Sequence, residues 1–339
     1  MILLIIYFVF ILGLISLFKK YKILSSHNGS NHQKFVNDSV SLSGGIFIFF
    51  PFLFIISFDF NFIFMTSVSL IFLLGLLSDL SYLNHPKLRL FLQLTILIFF
   101  VFNLKLEVFP TRINFIDNNF QNTYLSYFFT VFCLLILING SNFIDGLNGL
   151  LLGYIILILF FLINLELQNL VEIDTKYFYQ FIILLIFILI LNYFNLLFLG
   201  DNGSYLISFI VGYILIVIYN KTFSISPYFI ILLLWYPCFE NLFSIIRKKI
   251  YNSNPLSADN KHLHHYIYLF VKTKFNLSKL FANNLTSVLI NLFNFTIFYI
   301  GSKYYTLTYV QLLLIVASIT FYLLTYFILK IYFRSNLVN

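Results

Sequence analysis

Long apolar runs alternate with short polar interruptions along almost the whole chain. The runs cover 1–18, 44–58, 62–77, 88–104, 123–138, 149–165, 178–199, 204–220, 226–246, 281–300 and 308–330. At 1.5 Å per helical residue, most of them match a hydrocarbon layer about 30 Å thick. The pattern predicts eleven membrane-spanning helices, the shorter ones tilting little or reaching into the interface. Only Asp59, Phe60 and Asn61 separate the second run from the third. The first run has no basic residues ahead of it, is followed by Lys19, Lys20 and Lys22, and lacks a small-residue cleavage site. That predicts an uncleaved anchor.

One interruption differs from the others. Residues 139–150, NGSNFIDGLNGL, place three Asn, one Asp and three Gly between two runs apolar enough to sit in lipid. An ionisable residue in such a setting costs several kcal/mol unless it has a partner, which makes it a functional candidate. A polar turn between two helices is the plainer reading. Against it, Asn139, Asn142 and Asp145 are spaced by three, along one face if the stretch is helical and aimed at one point.

Composition agrees with the pattern. The 339 residues are 61% hydrophobic and 9% charged, against about 25% charged in soluble domains. The fold class is therefore an all-α polytopic membrane protein, a single integral membrane domain over 1–339. Cys133 and Cys238 lie inside apolar runs and imply neither disulfide nor metal.

The net charge of +8 would suit nucleic acid, but its distribution argues otherwise. With eleven spans the loops fall into two sets by parity. Fifteen Lys and Arg lie in the set holding 19–43, 78–87, 139–148, 200–203, 247–280 and the C-terminus; five lie in the other. The first set is cytoplasmic by the positive-inside rule, and the basic excess is topological. It also suits anionic lipid head groups or an anionic substrate. All six histidines and Asp79, Asp145, Asp201 and Asp259 belong to that same set. Any chemistry sits on the cytoplasmic face.

Four segments converge there by this reading: Gly75–Asp79 continuing to 84–89, the 139–150 stretch, FLGDNGS at 198–204, and Arg247–Lys249 followed by PLSADNKHLHH at 255–265. Carboxylates from three loops with Asn amides suit Mg²⁺, a hard ion that prefers oxygen. Histidines with Lys and Arg suit phosphate oxygens. A divalent ion on a diphosphate, surrounded by cations, is apparatus for phosphoryl transfer. Two plainer readings stand beside this one. HLHH would bind zinc, although it has no Cys partner, and Asp201 would cap a helix. Gly149 and Gly153 read as a helix-packing pair.

In this order, GLLSDL…PKLRL, NGSNFIDGLNGL, FLGDNGS and PLSADNKHLHH resemble the polyprenyl-phosphate N-acetylhexosamine-1-phosphate transferases, glycosyltransferase family 4. His32-Gln-Lys34 and Ser43-Gly44-Gly45 match its first cytoplasmic loop loosely, and the H-x-H-H form resembles the WecA type. The resemblance covers about 32–265. It implies that undecaprenyl phosphate attacks the β-phosphate of a UDP-N-acetylhexosamine. The products are a lipid diphosphate sugar and UMP, the first step of a cell-surface glycan such as lipopolysaccharide. Implied with it are Mg²⁺, or Mn²⁺ in its place, a bacterial inner-membrane location with a cytoplasmic C-terminus, and room for a homodimer. Carried over by residue, Asp79, Asp145 and Asp201 are the catalytic carboxylates, with Asp201 and Asn142 on the metal. Asn139, Asn142 and Asn148 accompany Asp145 at the nucleotide diphosphate. His262, His264 and His265 hold phosphate or sugar, and Arg247 contacts phosphate.

The chain departs from the family pattern at Ser78 and Asn148, where aspartates are usual, and at Glu240, where Asp is more usual. A phosphate monoester already carries most of its charge at neutral pH, so Ser78→Ala is expected to keep substantial activity. Two other classes compete. A transporter or lipid-carrier translocase predicts polar residues at mid-membrane and internal repeats. A catalytically silent relative would bind the nucleotide sugar without turnover.

Overall fold

The computed structural model describes residues 2–25, 40–56, 61–108, 110–119, 122–165, 175–222, 224–252 and 261–335. Several sequence expectations fall outside them: two of the six histidines (His27 and His32) with the stretch to Lys34, Asp59, residues 255–260 with Asp259, and the tail beyond 335. The described chain is helical. In order the helices are α1 (Ile2–Lys20), α2 (Gly44–Phe54), α3 (Phe62–Asp79), α4 (Pro86–Leu104), α5 (Asn114–Asn119), α6 (Thr123–Ile144), α7 (Leu150–Asn164), α8 (Thr175–Tyr193), α9 (Gly200–Lys221), α10 (Pro227–Ile250), α11 (Leu263–Lys274), α12 (Lys279–Lys303) and α13 (Thr308–Ser335).

Nine of the described helices are long and apolar enough to cross a membrane. The predicted spans 44–58 and 149–165 are shorter, with 11 residues in α2 and 15 in α7. At 1.5 Å per residue these reach only about 17 and 23 Å. Helix ends also differ from the hydropathy pattern. α6 runs on through Asn139 and Asn142, whose polar side chains find partners inside the protein. α9 opens at Gly200, so the acid of FLGDNGS stands in its first turn. His264 and His265 lie on α11, a helix the sequence reading had placed within a loop.

The bundle is built around α9. Its residues are apolar on every side and almost all buried, the pattern of a helix that packs in all directions. It lies against α2, α3 and α6, while α10 packs on α6 and α13. Small residues bring the helix ends together. The site of a Cβ on Gly45 is filled by the Asn202 amide and Gly203 N, and that on Gly75 lies 2.5 Å from Asn202 Cα. The backbones of 41–45 and 198–199 are joined by Gly44 N–H to Phe198 O (2.9 Å), Gly45 N–H to Leu199 O (3.2 Å) and Phe198 N–H to Ser41 O (2.8 Å). Ser43-Gly44-Gly45 thus works by close packing against the start of α9.

Candidate active site

The first turn of α9 has N–H groups that the helix itself does not satisfy. Asp79, the last residue of α3, fills this need. Its Oδ1 accepts from Asp201 N–H at 3.0 Å and its Oδ2 from Asn202 N–H at 2.9 Å. The Asn202 side-chain amide also donates to Oδ2 and reaches Leu42 O at 2.9 Å. Gly200 has φ +76° and lies against Asp79 Oδ2, a backbone conformation that favours glycine. The capping carboxylate of α9 is Asp79, and Asp201 is the residue it presents.

Asp201 is held by a second set of contacts. Its Oδ2 accepts from Ser78 Oγ at 2.6 Å, Arg89 Nη1 at 2.8 Å and Tyr205 Oη at 3.5 Å. Arg89 Nη1 also donates to Ser78 Oγ at 2.7 Å. Oδ1 of Asp201 takes no hydrogen bond among the described residues. The serine that replaces a usual aspartate is therefore a donor to the neighbouring acid. Arg89, at the end of the 84–89 stretch but given no role by the sequence, is the cation that faces Asp201.

Asn142 joins this cluster from α6. Its Oδ1 accepts from Ser204 Oγ at 3.2 Å and its Nδ2 donates to Tyr205 Oη at 3.4 Å. One helical turn on, Asp145 caps the C-terminus of α6, its N–H bonded to Ser141 O. Burial, then the charges of Asp201 and Asp79, push the Asp145 carboxyl well above the usual carboxylate range. Three acids from three helices thus repel one another across one site.

The His motif closes over the same turn. A Cβ on Gly146 would stand 3.0 Å from His264 Nε2 and 3.1 Å from His265 Nε2. The His262 and His264 rings stack 5.5 Å apart, and His264 and His265 lie 4.3 Å apart. Burial and the two flanking imidazoles hold His264 well below the usual histidine range. Both its ring nitrogens are buried without a hydrogen-bond partner among the described residues. Imidazole nitrogens so placed are apt to bind an incoming polar group.

Other predicted residues lie elsewhere. Asn139 does not point with Asn142 and Asp145: its amide donates to Gln93 Oε1 at 2.8 Å and Leu135 O at 2.9 Å, tying α6 to α4. Asn148 is buried, with Nδ2 donating to Asn195 Oδ1 at 2.6 Å and its N–H to Asn283 Oδ1 at 2.8 Å. Arg247 is buried in the last turn of α10, donating to Tyr326 Oη at 3.1 Å and Ser244 Oγ at 3.2 Å. Its guanidinium lies near the Phe243 and Tyr326 rings. Asn139 thus faces α4, whereas the spacing of three aims it at one point with Asn142 and Asp145. The Nδ2 groups of Asn139 and Asn148 are engaged in tying α6 to α4 and the Asn148 turn to Asn195.

Among the described residues no three His, Cys, Asp or Glu side chains are arranged to hold a metal by themselves. The donor set still fits a hard divalent ion. Mg²⁺ commonly takes one or two carboxylates, keeps waters and completes its shell with substrate phosphates. Asp201 Oδ1 and Asp145 offer oxygen in a site where like charges repel, and a cation would relieve that repulsion.

Comparison with known proteins bears on the motifs. Residues 61–219 match the family model described as glycosyl transferase family 4. A probable undecaprenyl-phosphate N-acetylglucosaminyl 1-phosphate transferase of Bacillus subtilis is 29% identical over 205 residues, 59% of this chain and 56% of the relative. An undecaprenyl-phosphate alpha-N-acetylglucosaminyl 1-phosphate transferase of Thermotoga maritima is 28% identical over 235 residues, 66% of each chain. One of the same name from Escherichia coli K12 is 32% identical over 149 residues, 42% of this chain and 40% of the relative. The match thus spans between two fifths and two thirds of the length of these relatives. Three of the four resembling segments, with Asp79, Asp145 and Asp201, lie inside the family match. Through residues 61–219, a little under half of its length, the chain is similar to glycosyl transferase family 4.

Proposed function

We propose that the protein transfers a sugar 1-phosphate from a UDP-N-acetylhexosamine to undecaprenyl phosphate, at the cytoplasmic face of a bacterial inner membrane. The observation that carries this reading is the meeting of Asp79, Asp145, Asp201 and the His262–His265 cluster at one end of the bundle. The relatives' names supply the acceptor and the type of group transferred. In the reaction an oxygen of the lipid phosphate attacks the β-phosphorus. The bond from that phosphorus to the bridging oxygen breaks, and UMP leaves with the bridging oxygen. The product is undecaprenyl-diphosphate sugar.

The chain's residues divide this work. Asp79 fixes the start of α9 and so the position of Asp201. Ser78 and Arg89 orient the Asp201 carboxylate through Oδ2 and leave Oδ1 for the metal. Asp201, with Asp145 and Asn142 near it, would hold Mg²⁺. When bound, the ion supplies charge neutralisation of the diphosphate. His264 and His265, packed on Gly146, face the phosphate or sugar. Positioning and electrostatics, with little proton chemistry, suffice for such a transfer.

Purified protein supplied with Mg²⁺, undecaprenyl phosphate and a panel of UDP-sugars tests this. UMP release that needs both lipid and metal is the expected result. A protein that binds a UDP-sugar but releases no UMP would support the silent-relative reading.

A further inference from the structure

α10 carries one acid, Glu240, and it is wholly buried. Its Oε1 lies 2.8 Å from Nδ1 of His262, and its Oε2 accepts from the Tyr322 hydroxyl at 2.7 Å. The three groups come from the middle of α10, the residue that precedes α11, and α13. A carboxylate taken out of water is costly unless it is paired and its remaining lone pairs are used. Both oxygens of Glu240 are used. An ionised carboxylate only accepts, so its contact with His262 places a proton on Nδ1. Nε2 is then the ring atom left for a ligand, as acceptor in the neutral ring or as donor once the ring takes a second proton. The His262 ring is fixed further by Phe143 at 5.3 Å and by its stack on His264 at 5.5 Å. Phe143 lies two residues before Asp145, so the ring is docked on the turn that carries the acid.

We infer that Glu240 is a positioning residue for His262: its carboxylate fixes the Nδ1–H form and presents Nε2 to the phosphate or sugar of the donor. This rests on the function proposed above, but its structural half does not need turnover. Carboxylates that orient a histidine through its second nitrogen act in this way elsewhere, setting tautomer and basicity. Tyr322 holds the other oxygen and prevents the carboxylate from turning away.

The test uses the full chain in detergent with ¹⁵N-labelled histidine, and His262→Gln to assign the signals. In the wild type the His262 signals should show Nδ1 protonated. Glu240→Gln keeps the size of the side chain and removes its charge. It should convert His262 to a mixture of tautomers. It should also lower kcat/KM for the UDP-sugar on the order of 10- to 100-fold, as losing a histidine's orienting partner does. Tyr322→Phe leaves the Oε1 contact in place and should keep both the Nδ1–H signal and most of kcat/KM. Unchanged His262 signals in Glu240→Gln would overturn the inference. So would equal losses in Glu240→Gln and Tyr322→Phe, including loss of folded protein in both, since the network would then only hold helices together. If the wild type releases no UMP from any UDP-sugar, the proposed function fails while the tautomer readout still decides the role of Glu240.

Discussion

At the scale of single residues, the site separates acids that hold structure from acids that face a ligand. Asp79 satisfies two backbone N–H groups of α9. Asp79→Ala should therefore lose activity and stability together, by about 2 kcal/mol or more for the donors left unpaired, read as a fall in Tm in detergent. Asp201→Asn should behave differently. It relieves the repulsion with Asp79 and Asp145 but also removes the charge that pairs with Arg89, so Tm should change little, while activity falls on the order of 100-fold or more. A variant that melts early and keeps its specific activity would reverse these roles. Ser78 now carries more than the sequence suggested, because its hydroxyl donates to Asp201. Ser78→Ala should cost roughly tenfold in rate, the scale of one hydrogen bond to a charged group, and less than Arg89→Ala. Asp145, Asp201 and the histidines were legible as acids beside glycines and a tight His cluster. Their partners were not: Arg89 and Asp201 are 112 positions apart, and Glu240 and His262 are 22 apart. Only the packing of helices brings such pairs together.

At the scale of elements, the apolar runs announced the helices but not their ends. Hydropathy falls where polar residues begin, yet the backbone continues as a helix when those residues find partners. α6 shows this, carrying Asn139 to Gln93 and Asn142 to Tyr205 beyond the predicted end of its span. α11 was hidden for the opposite reason, since a short, basic, histidine-rich helix has no long apolar run. Ser43-Gly44-Gly45, a loose match in sequence, has a clear physical role at the start of α9. Gly45→Ala would drive a methyl group into Asn202 and Gly203. It should lower stability by about 1–3 kcal/mol, the usual cost of overpacking, and shift the Asp79–Asn202 contacts with it. Gly146→Ala meets only imidazole nitrogens, at 3.0 and 3.1 Å, and should reduce turnover with little change in Tm. Equal melting losses in the two variants would contradict this assignment of glycine roles.

At the scale of the molecule, one end of the bundle gathers the start of α2, the end of α3, the end of α6, and the starts of α9 and α11. By loop parity these segments share one face of the membrane, and the fold brings them together at one end of the bundle. The basic excess of that face predicts that it is cytoplasmic. Reporter fusions at Asn339 and between residues 166 and 174 should report opposite sides, with Asn339 inside; both on one side would contradict the eleven-span topology. The proposed reaction moves a phosphate together with the sugar. It is tested most directly with a UDP-N-acetylhexosamine labelled with ³²P at the β-phosphate, incubated with the protein, Mg²⁺ and undecaprenyl phosphate. Label is expected in the extracted lipid with an equal amount of unlabelled UMP, both falling on the order of 100-fold or more in Asp201→Asn. Label remaining in released UDP, or a lipid that gains sugar without label, would contradict it.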